Sequence, residues 1–98
     1  MTDLAESTGR DRRALELRME GRSFSSIAKE LQFARAVDAN EAFNRALRRS
    51  PDDERKKTVE QELQRLDRLA SANAPGDDEL SARRERAIKG LRERLLRD

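Results

Sequence analysis

The chain contains no cysteine and no histidine. Disulfide bonds are therefore excluded, as are thiolate or imidazole metal ligands and nucleophilic catalysis of the Cys–His or Ser–His type. A glycine-rich phosphate loop and a paired-histidine zinc motif are also missing. The acidic clusters at 52–54 and 77–79 stand where helices are expected to begin, and the helix dipole favours acids there. We therefore expect a protein that is not an enzyme and that holds no cofactor and no metal ion.

Long apolar segments are absent as well. The longest uninterrupted run of hydrophobic residues is two residues, whereas a membrane-spanning helix needs about 20. The first ten residues, MTDLAESTGR, are polar and acidic and do not resemble a signal peptide. We expect a protein with no membrane segment and a cytoplasmic location, with which the lack of cysteine is compatible.

Charge is plentiful and unevenly distributed. Charged residues make up 43% of the 98 residues and hydrophobic residues 35%, a balance that approaches that of disordered chains. The apolar residues nevertheless recur at helical spacing, which predicts an all-α protein. Residues 10–49 carry ten Lys or Arg against six Asp or Glu, a net charge of +4, whereas residues 51–98 carry twelve of each. This local excess favours an anionic partner for the first half of the chain.

The first half begins with a predicted tail and helix. Asp11 is expected to cap the first helix, so that residues 1–10 form a flexible tail. Gly21 should end that helix by adopting the left-handed conformation that helix ends favour.

Two more helices are predicted to complete a head over residues 11–49. The Ser23 hydroxyl should cap the second helix, and a tight turn follows at 32–34. The third helix is expected from about 35 to 49. Its inward stripe is predicted to be Ala39, Ala42, Phe43, Ala46 and Leu47.

Residues 50–98 predict an antiparallel helical hairpin. Ser50 is expected to cap its first helix, with Pro51 at the first helical position, and a break follows at 71–76. The second helix should begin at 77–79, where three acidic residues again favour a helix start. Gly90 either marks a close helix crossing or is tolerated at a cost of about 1 kcal/mol relative to alanine. The hairpin is expected to serve as a scaffold or as a dimerisation surface.

Segment 12–49 resembles the homeodomain-like helix-turn-helix of small phage and actinobacterial DNA-binding proteins, including phage terminase small subunits. The matching residues are Ala14-Leu15-Glu16-Leu17-Arg18, Gly21, Ser23, Ile27-Ala28, Leu31 and Arg45-Ala46-Leu47, and QRLDRL at 64–69 resembles a segment that often follows. The resemblance implies a trihelical head that reads DNA with its third helix. The sequence departs from the family pattern at Gln32, where the turn usually carries glycine.

We therefore expect a duplex-DNA-binding protein, acting as a small transcriptional regulator or a phage-type packaging or accessory factor. Arginine pairs well with guanine and asparagine with adenine, which suggests Arg35, Asn40, Asn44 and Arg45 for the bases. Side chains better placed for phosphates are Ser25, Ser26, Lys29 and Arg48, although Arg45 is also able to contact a phosphate. A homodimer would bind DNA more tightly than one chain and would fix the spacing between two half-sites on the duplex.

Two acids oppose this interpretation. Asp38 and Glu41 are expected on the outward face of the third helix, where carboxylates repel phosphates, although a carboxylate can accept a hydrogen bond from cytosine. The alternative hypothesis is a protein-interaction adaptor that keeps the head fold without binding DNA. Its C-terminal helices would then dock onto a protein partner.

Overall fold

The computed structural model describes residues 3–72 and 79–97, with side chains placed from residue 8 onward except at residue 72. This part of the chain is all-α and contains no strand, which confirms the predicted class. The helices are α1 (Asp3–Met19), α2 (Phe24–Leu31), α3 (Ala36–Arg49), α4 (Asp52–Ala72) and α5 (Glu79–Leu96). Within the described residues, no helix is long and apolar enough to cross a membrane.

The chain divides into two compact units, with the boundary inside α4 between Arg55 and Lys56. In the first unit, α1 packs against α3 and α2, and α2 packs against α3. Its buried apolar side chains are Ala14, Leu17, Phe24, Ile27, Ala28, Ala39, Ala42, Phe43, Ala46 and Leu47. The rings of Phe24 and Phe43 meet with their centroids 5.6 Å apart. The inward stripe predicted for α3 is thus confirmed.

Helix α1 begins at Asp3 rather than at Asp11, so the predicted helix start is wrong and helical structure covers residues 3–10. Asp11 lies inside the helix and is only 1% exposed. Its carboxylate does not bind the free N–H groups of a helix end, because it accepts hydrogen bonds from two arginines of α3.

The end of α1 follows the prediction. Gly21 has a φ of 95°, in the left-handed region. Its N–H donates to the Arg18 carbonyl at 2.9 Å, and the Arg22 N–H donates to the Leu17 carbonyl at 3.2 Å. This pair of bonds is a Schellman motif, which satisfies carbonyls that a helix end would otherwise leave without donors.

The Ser23 cap of α2 is confirmed, because the Ser23 hydroxyl accepts the Ser26 N–H at 3.1 Å. At the other end, Gln32 adopts the left-handed conformation with φ 62° and ψ 39°. The turn therefore keeps its geometry without a glycine. Arg10 contributes to holding it, since its guanidinium donates to the Leu31 carbonyl at 2.9 Å and lies 4.2 Å from the centre of the Phe33 ring.

The junction between α3 and α4 corrects another expectation. The Ser50 hydroxyl donates to the Ala46 carbonyl at 3.1 Å and thus serves the end of α3. Pro51 fills the capping position instead, because its carbonyl accepts the Arg55 N–H at 2.8 Å. Helix α4 begins at Asp52, one residue later than predicted, so Ser50 precedes its capping position.

The second unit contains most of α4 together with α5. Its described buried apolar side chains are Leu66 and Leu95, and Glu62 is buried with them. Asp67 of α4 accepts a hydrogen bond from Arg92 of α5. The expected helix break lies mostly outside the described residues, as do Asp77 and Asp78, and the antiparallel hairpin stays a prediction.

Candidate nucleic-acid interface

Helix α3 presents one side to solvent. Arg35 at its N-terminal cap, Glu41, Arg48 and Arg49 are exposed, while Val37, Asp38 and Arg45 are half-buried. At 100° per residue these positions fall on one side of the helix. We call this set the α3 arc. It combines four arginines with two carboxylates, so its charge is mixed.

The two predicted asparagines do not belong to this arc. Asn40 and Asn44 are 3% and 4% exposed, and the expectation that they point outward is wrong. The Asn44 amide donates to the Asn40 side-chain carbonyl at 3.4 Å. Buried amides need such partners, and the spacing of four residues brings these two together on one helix. The buried face of α3 is therefore wider than its apolar stripe indicates.

Arg45 is held by a buried carboxylate. Its Nε and one terminal nitrogen each donate to Asp11 at 3.0 Å, in a two-pronged ion pair. A third bond comes from Arg49, whose guanidinium donates to Asp11 at 2.9 Å. The hydrogen bond from Asp11 raises the pKa of Arg45 above its ordinary value, against a lowering by burial. The Arg45 side chain is still 42% exposed, so part of the guanidinium faces solvent.

The Asp11, Arg45 and Arg49 cluster joins α1 to α3. A carboxylate removed from water is costly unless charged partners surround it, and Asp11 has two. The sequence interpretation missed Asp11 and Arg49 in this role. The available signal was the spacing of Arg45 and Arg49, four residues apart, which places both guanidiniums on one side of α3.

Asp38 has a local structural role. Its carboxylate accepts the Arg35 backbone N–H at 3.1 Å and the Arg35 guanidinium at 3.3 Å. An acid at this position compensates the positive end of the helix. Asp38 is thus a capping carboxylate of α3, and its side chain is 26% exposed.

On α2, the predicted phosphate ligands differ in availability. Ser25 and Lys29 are exposed, but the Ser26 hydroxyl accepts two bonds from the Arg22 guanidinium, at 2.9 and 2.7 Å. Arg22 also forms an ion pair with Glu30 at 2.8 Å. These five residues and Ser23 line a shallow polar depression beside the start of α2. Ser26 is already hydrogen-bonded there, whereas Ser25 and Lys29 face solvent.

Among the described residues, no group of three or more acidic side chains could hold a metal ion. Comparison of the chain with protein-family models, with curated proteins and with solved structures found no match.

Proposed function

We propose that the protein binds duplex DNA, with α1, α2 and α3 forming a helix-turn-helix head and α3 entering the major groove. The observation that carries the proposal is the α3 arc, which offers the exposed Arg35 and Arg48 and the half-exposed Arg45 on one side of the helix. Lys29 and Ser25 of α2 add polar groups of the type that contact phosphates.

The assignment of individual residues follows their exposure. Arg35 has a side chain that is 73% exposed, and a guanidinium matches the paired acceptors of guanine in the major groove. Arg45 would reach a base or a phosphate with the part of its guanidinium that Asp11 leaves available. Arg48, Lys29 and Ser25 would contact phosphates. Asn40 and Asn44 have no part in this arrangement, because both are buried.

The head is proposed to act as a small transcriptional regulator or as a phage-type packaging or accessory factor. Both roles need a compact head that docks on duplex DNA. Phosphate contacts would fix the position of the head along the duplex, and a few base contacts would add sequence preference.

A second candidate function is a protein-interaction adaptor. The observation that favours it is the composition of the α3 arc, where Glu41 is exposed and Asp11 partly neutralises Arg45 and Arg49. An arc of alternating signs suits a protein surface of mixed charge. In this case the head would keep its fold and would not bind nucleic acid.

Fluorescence polarisation with a labelled random duplex, measured over a salt series, separates the two. DNA binding with Arg48 and Lys29 on phosphates predicts a slope of log K against log salt of about −2, since each neutralised phosphate contributes about −0.9. Arg48→Ala should weaken binding and reduce the slope by about 1. Arg86→Ala, which removes an exposed arginine of α5, is the matched control and should leave the slope unchanged.

Two results would count against DNA binding through α3. If tens of micromolar protein, on the order of a non-specific Kd, produce no polarisation change at low salt, the adaptor is favoured. Equal losses for Arg48→Ala and Arg86→Ala would remove α3 from the mechanism while leaving charge-driven binding.

A further inference from the structure

Arg45 lies in the middle of the α3 arc. At 100° per residue the arc extends over about 160°, from Val37 to Arg35, and Arg45 is about 80° from each edge. The major groove of duplex DNA is about 12 Å wide, so the middle of a helix face comes closest to the base edges and its flanks come closest to the two backbones. Arg45 is therefore well placed to reach a base.

The bonds to Asp11 leave one edge of the Arg45 guanidinium available. A guanidinium is planar and carries five N–H groups. Asp11 accepts from Nε and from Nη2, each at 3.0 Å, which uses the two N–H groups of the side edge. The end-on pair remains, with one N–H on Nη1 and one on Nη2. Within the described part of the chain, Arg45 donates to no acceptor besides Asp11, so this pair is available to a ligand.

The end-on pair of N–H groups matches guanine. In the major groove guanine presents two neighbouring acceptors, N7 and O6, and one guanidinium can donate to both. Adenine presents one acceptor and one donor at the same edge, so its amino group opposes an arginine. A phosphate can also accept two such bonds, and the position of the guanidinium then decides which ligand it meets.

Asp11 restricts where this pair of N–H groups points. Its carboxylate is 1% exposed and belongs to α1, so it cannot follow Arg45 into solvent. A long side chain without such a partner samples many rotamers, and a ligand must immobilise it at a cost in binding free energy. Arg48 is of this second kind, because it is exposed and has no ion-paired partner among the described residues.

The same carboxylate lowers the net charge around Arg45. Arg45 and Arg49 together carry +2 and Asp11 carries −1, so the three side chains have a net charge of +1. The anionic backbone of DNA therefore attracts Arg45 less strongly than it attracts Arg48. This difference favours contact of Arg45 with an uncharged base.

We infer, on the basis of the proposed DNA binding, that Asp11 is a positioning residue that holds Arg45 with its end-on N–H pair directed at N7 and O6 of a guanine. Asp11 then contributes to sequence preference as well as to stability. Arg48, which has no such partner in the described chain, contacts a phosphate.

Selection from a pool of duplexes with a randomised centre gives a preferred sequence. Each of its guanines is then replaced in turn by 7-deazaguanine, which lacks the N7 acceptor. Wild type should lose affinity about fivefold at one or more guanines, the lower limit for a two-bond base contact. Arg45→Lys keeps the charge but not the paired donors, and it should abolish the loss at one guanine. Arg49→Lys is the matched control and should retain every loss, because Arg49 gives Asp11 a single bond that an ammonium can also supply.

Asp11→Asn separates positioning from stability. It should abolish the same 7-deazaguanine effect and make the salt slope steeper by about 1, because the released arginine turns to a phosphate. Both quantities compare samples of one protein, so a smaller folded fraction cancels, and a purely structural role predicts no change in either. If circular dichroism shows that Asp11→Asn is unfolded, Arg45→Ala replaces it. Its salt slope should equal that of wild type, because Asp11 keeps Arg45 away from the phosphates.

Three results would overturn the role of Asp11. They are guanine effects that all persist in Arg45→Lys, guanine effects that all persist in folded Asp11→Asn, and a salt slope that Arg45→Ala reduces by about 1. In each case wild type still binds duplex with a slope of about −2, so the proposed function stands. Absence of any binding by wild type at low salt overturns both.

Discussion

Replacing Asp11 by asparagine should be among the most destabilising single changes of similar size in the first unit. The substitution keeps the shape of the side chain and removes its charge. Asp11 is 1% exposed and accepts three hydrogen bonds, two from Arg45 and one from Arg49, at 2.9 to 3.0 Å. No other buried carboxylate of this unit has two cationic partners among the described ion pairs.

The size of the expected loss in stability follows from the hydrogen bonds to Asp11 and from the exposure of its two partners. A hydrogen bond to a charged group contributes about 1.5–3 kcal/mol when it is shielded from water. The Arg45 and Arg49 side chains are 42% and 48% exposed, so solvent replaces part of each interaction when Asp11 is lost. We therefore expect a loss of about 2–3 kcal/mol in the free energy of unfolding, well below the sum of three shielded bonds.

Urea and thermal unfolding, followed by circular dichroism, measure this loss. For a domain of this size, it corresponds to a fall in Tm of about 10 °C or more. Asp52→Asn is the control, because Asp52 pairs with Arg55 at 2.6 Å but its side chain is 78% exposed. That change should cost at most about 0.5 kcal/mol.

Two results would refute this reasoning. One is a loss for Asp11→Asn no larger than that for Asp52→Asn, which would mean that the three bonds contribute nothing net. The other is additivity of Asp11→Asn with Arg45→Ala, because groups that interact directly should show a coupling energy of at least about 0.5 kcal/mol. Arg45→Ala alone would leave the buried carboxylate with Arg49 only, so its effect on DNA binding has to be corrected for its effect on folding.

Three further changes test the local geometry, each by the shift in the urea midpoint. Gln32→Gly should stabilise the chain by about 1 kcal/mol, because Gln32 has a φ of 62° that a side chain disfavours; an unchanged or lower midpoint would contradict a strained turn. Gly21→Ala should destabilise by about 1 kcal/mol for the same reason at φ 95°, and a rise would contradict it. Gly90→Ala should stabilise by about 1 kcal/mol, because the nearest atoms to an added Cβ belong to the Arg94 guanidinium at 3.6 Å, an ordinary contact. A loss there would point to a close helix crossing at Gly90.

The sequence predicted those features whose causes are local. Gly21 ends α1 and Ser23 caps α2 because each acts on backbone groups within five residues of itself. The apolar stripe of α3 is equally readable, since helical spacing alone defines it. Such features depend on the chemistry of a few neighbouring residues and need no knowledge of tertiary structure.

The errors arose where a polar residue had two possible partners. Asp11 is a plausible cap, but its carboxylate meets Arg45 and Arg49, which lie 34 and 38 residues further along the chain. The polarity of Asn40 and Asn44 predicts an exposed position, yet both are buried and paired with each other. Polarity alone does not locate a side chain, because a satisfied polar group can be buried.

These corrections change how the charge of the head bears on its function. The net charge of +4 counts every arginine equally, but Arg45 and Arg49 share the buried Asp11, and Arg22 pairs with Glu30. The cationic charge offered to a phosphate is therefore smaller than the sequence total. The Asp38 carboxylate caps α3, but it also accepts a hydrogen bond from the Arg35 guanidinium and so offsets part of the charge of Arg35. Glu41 remains as the exposed acid on the arc, so the preference for DNA over a protein depends on how Arg35 and Arg48 compare with that one carboxylate.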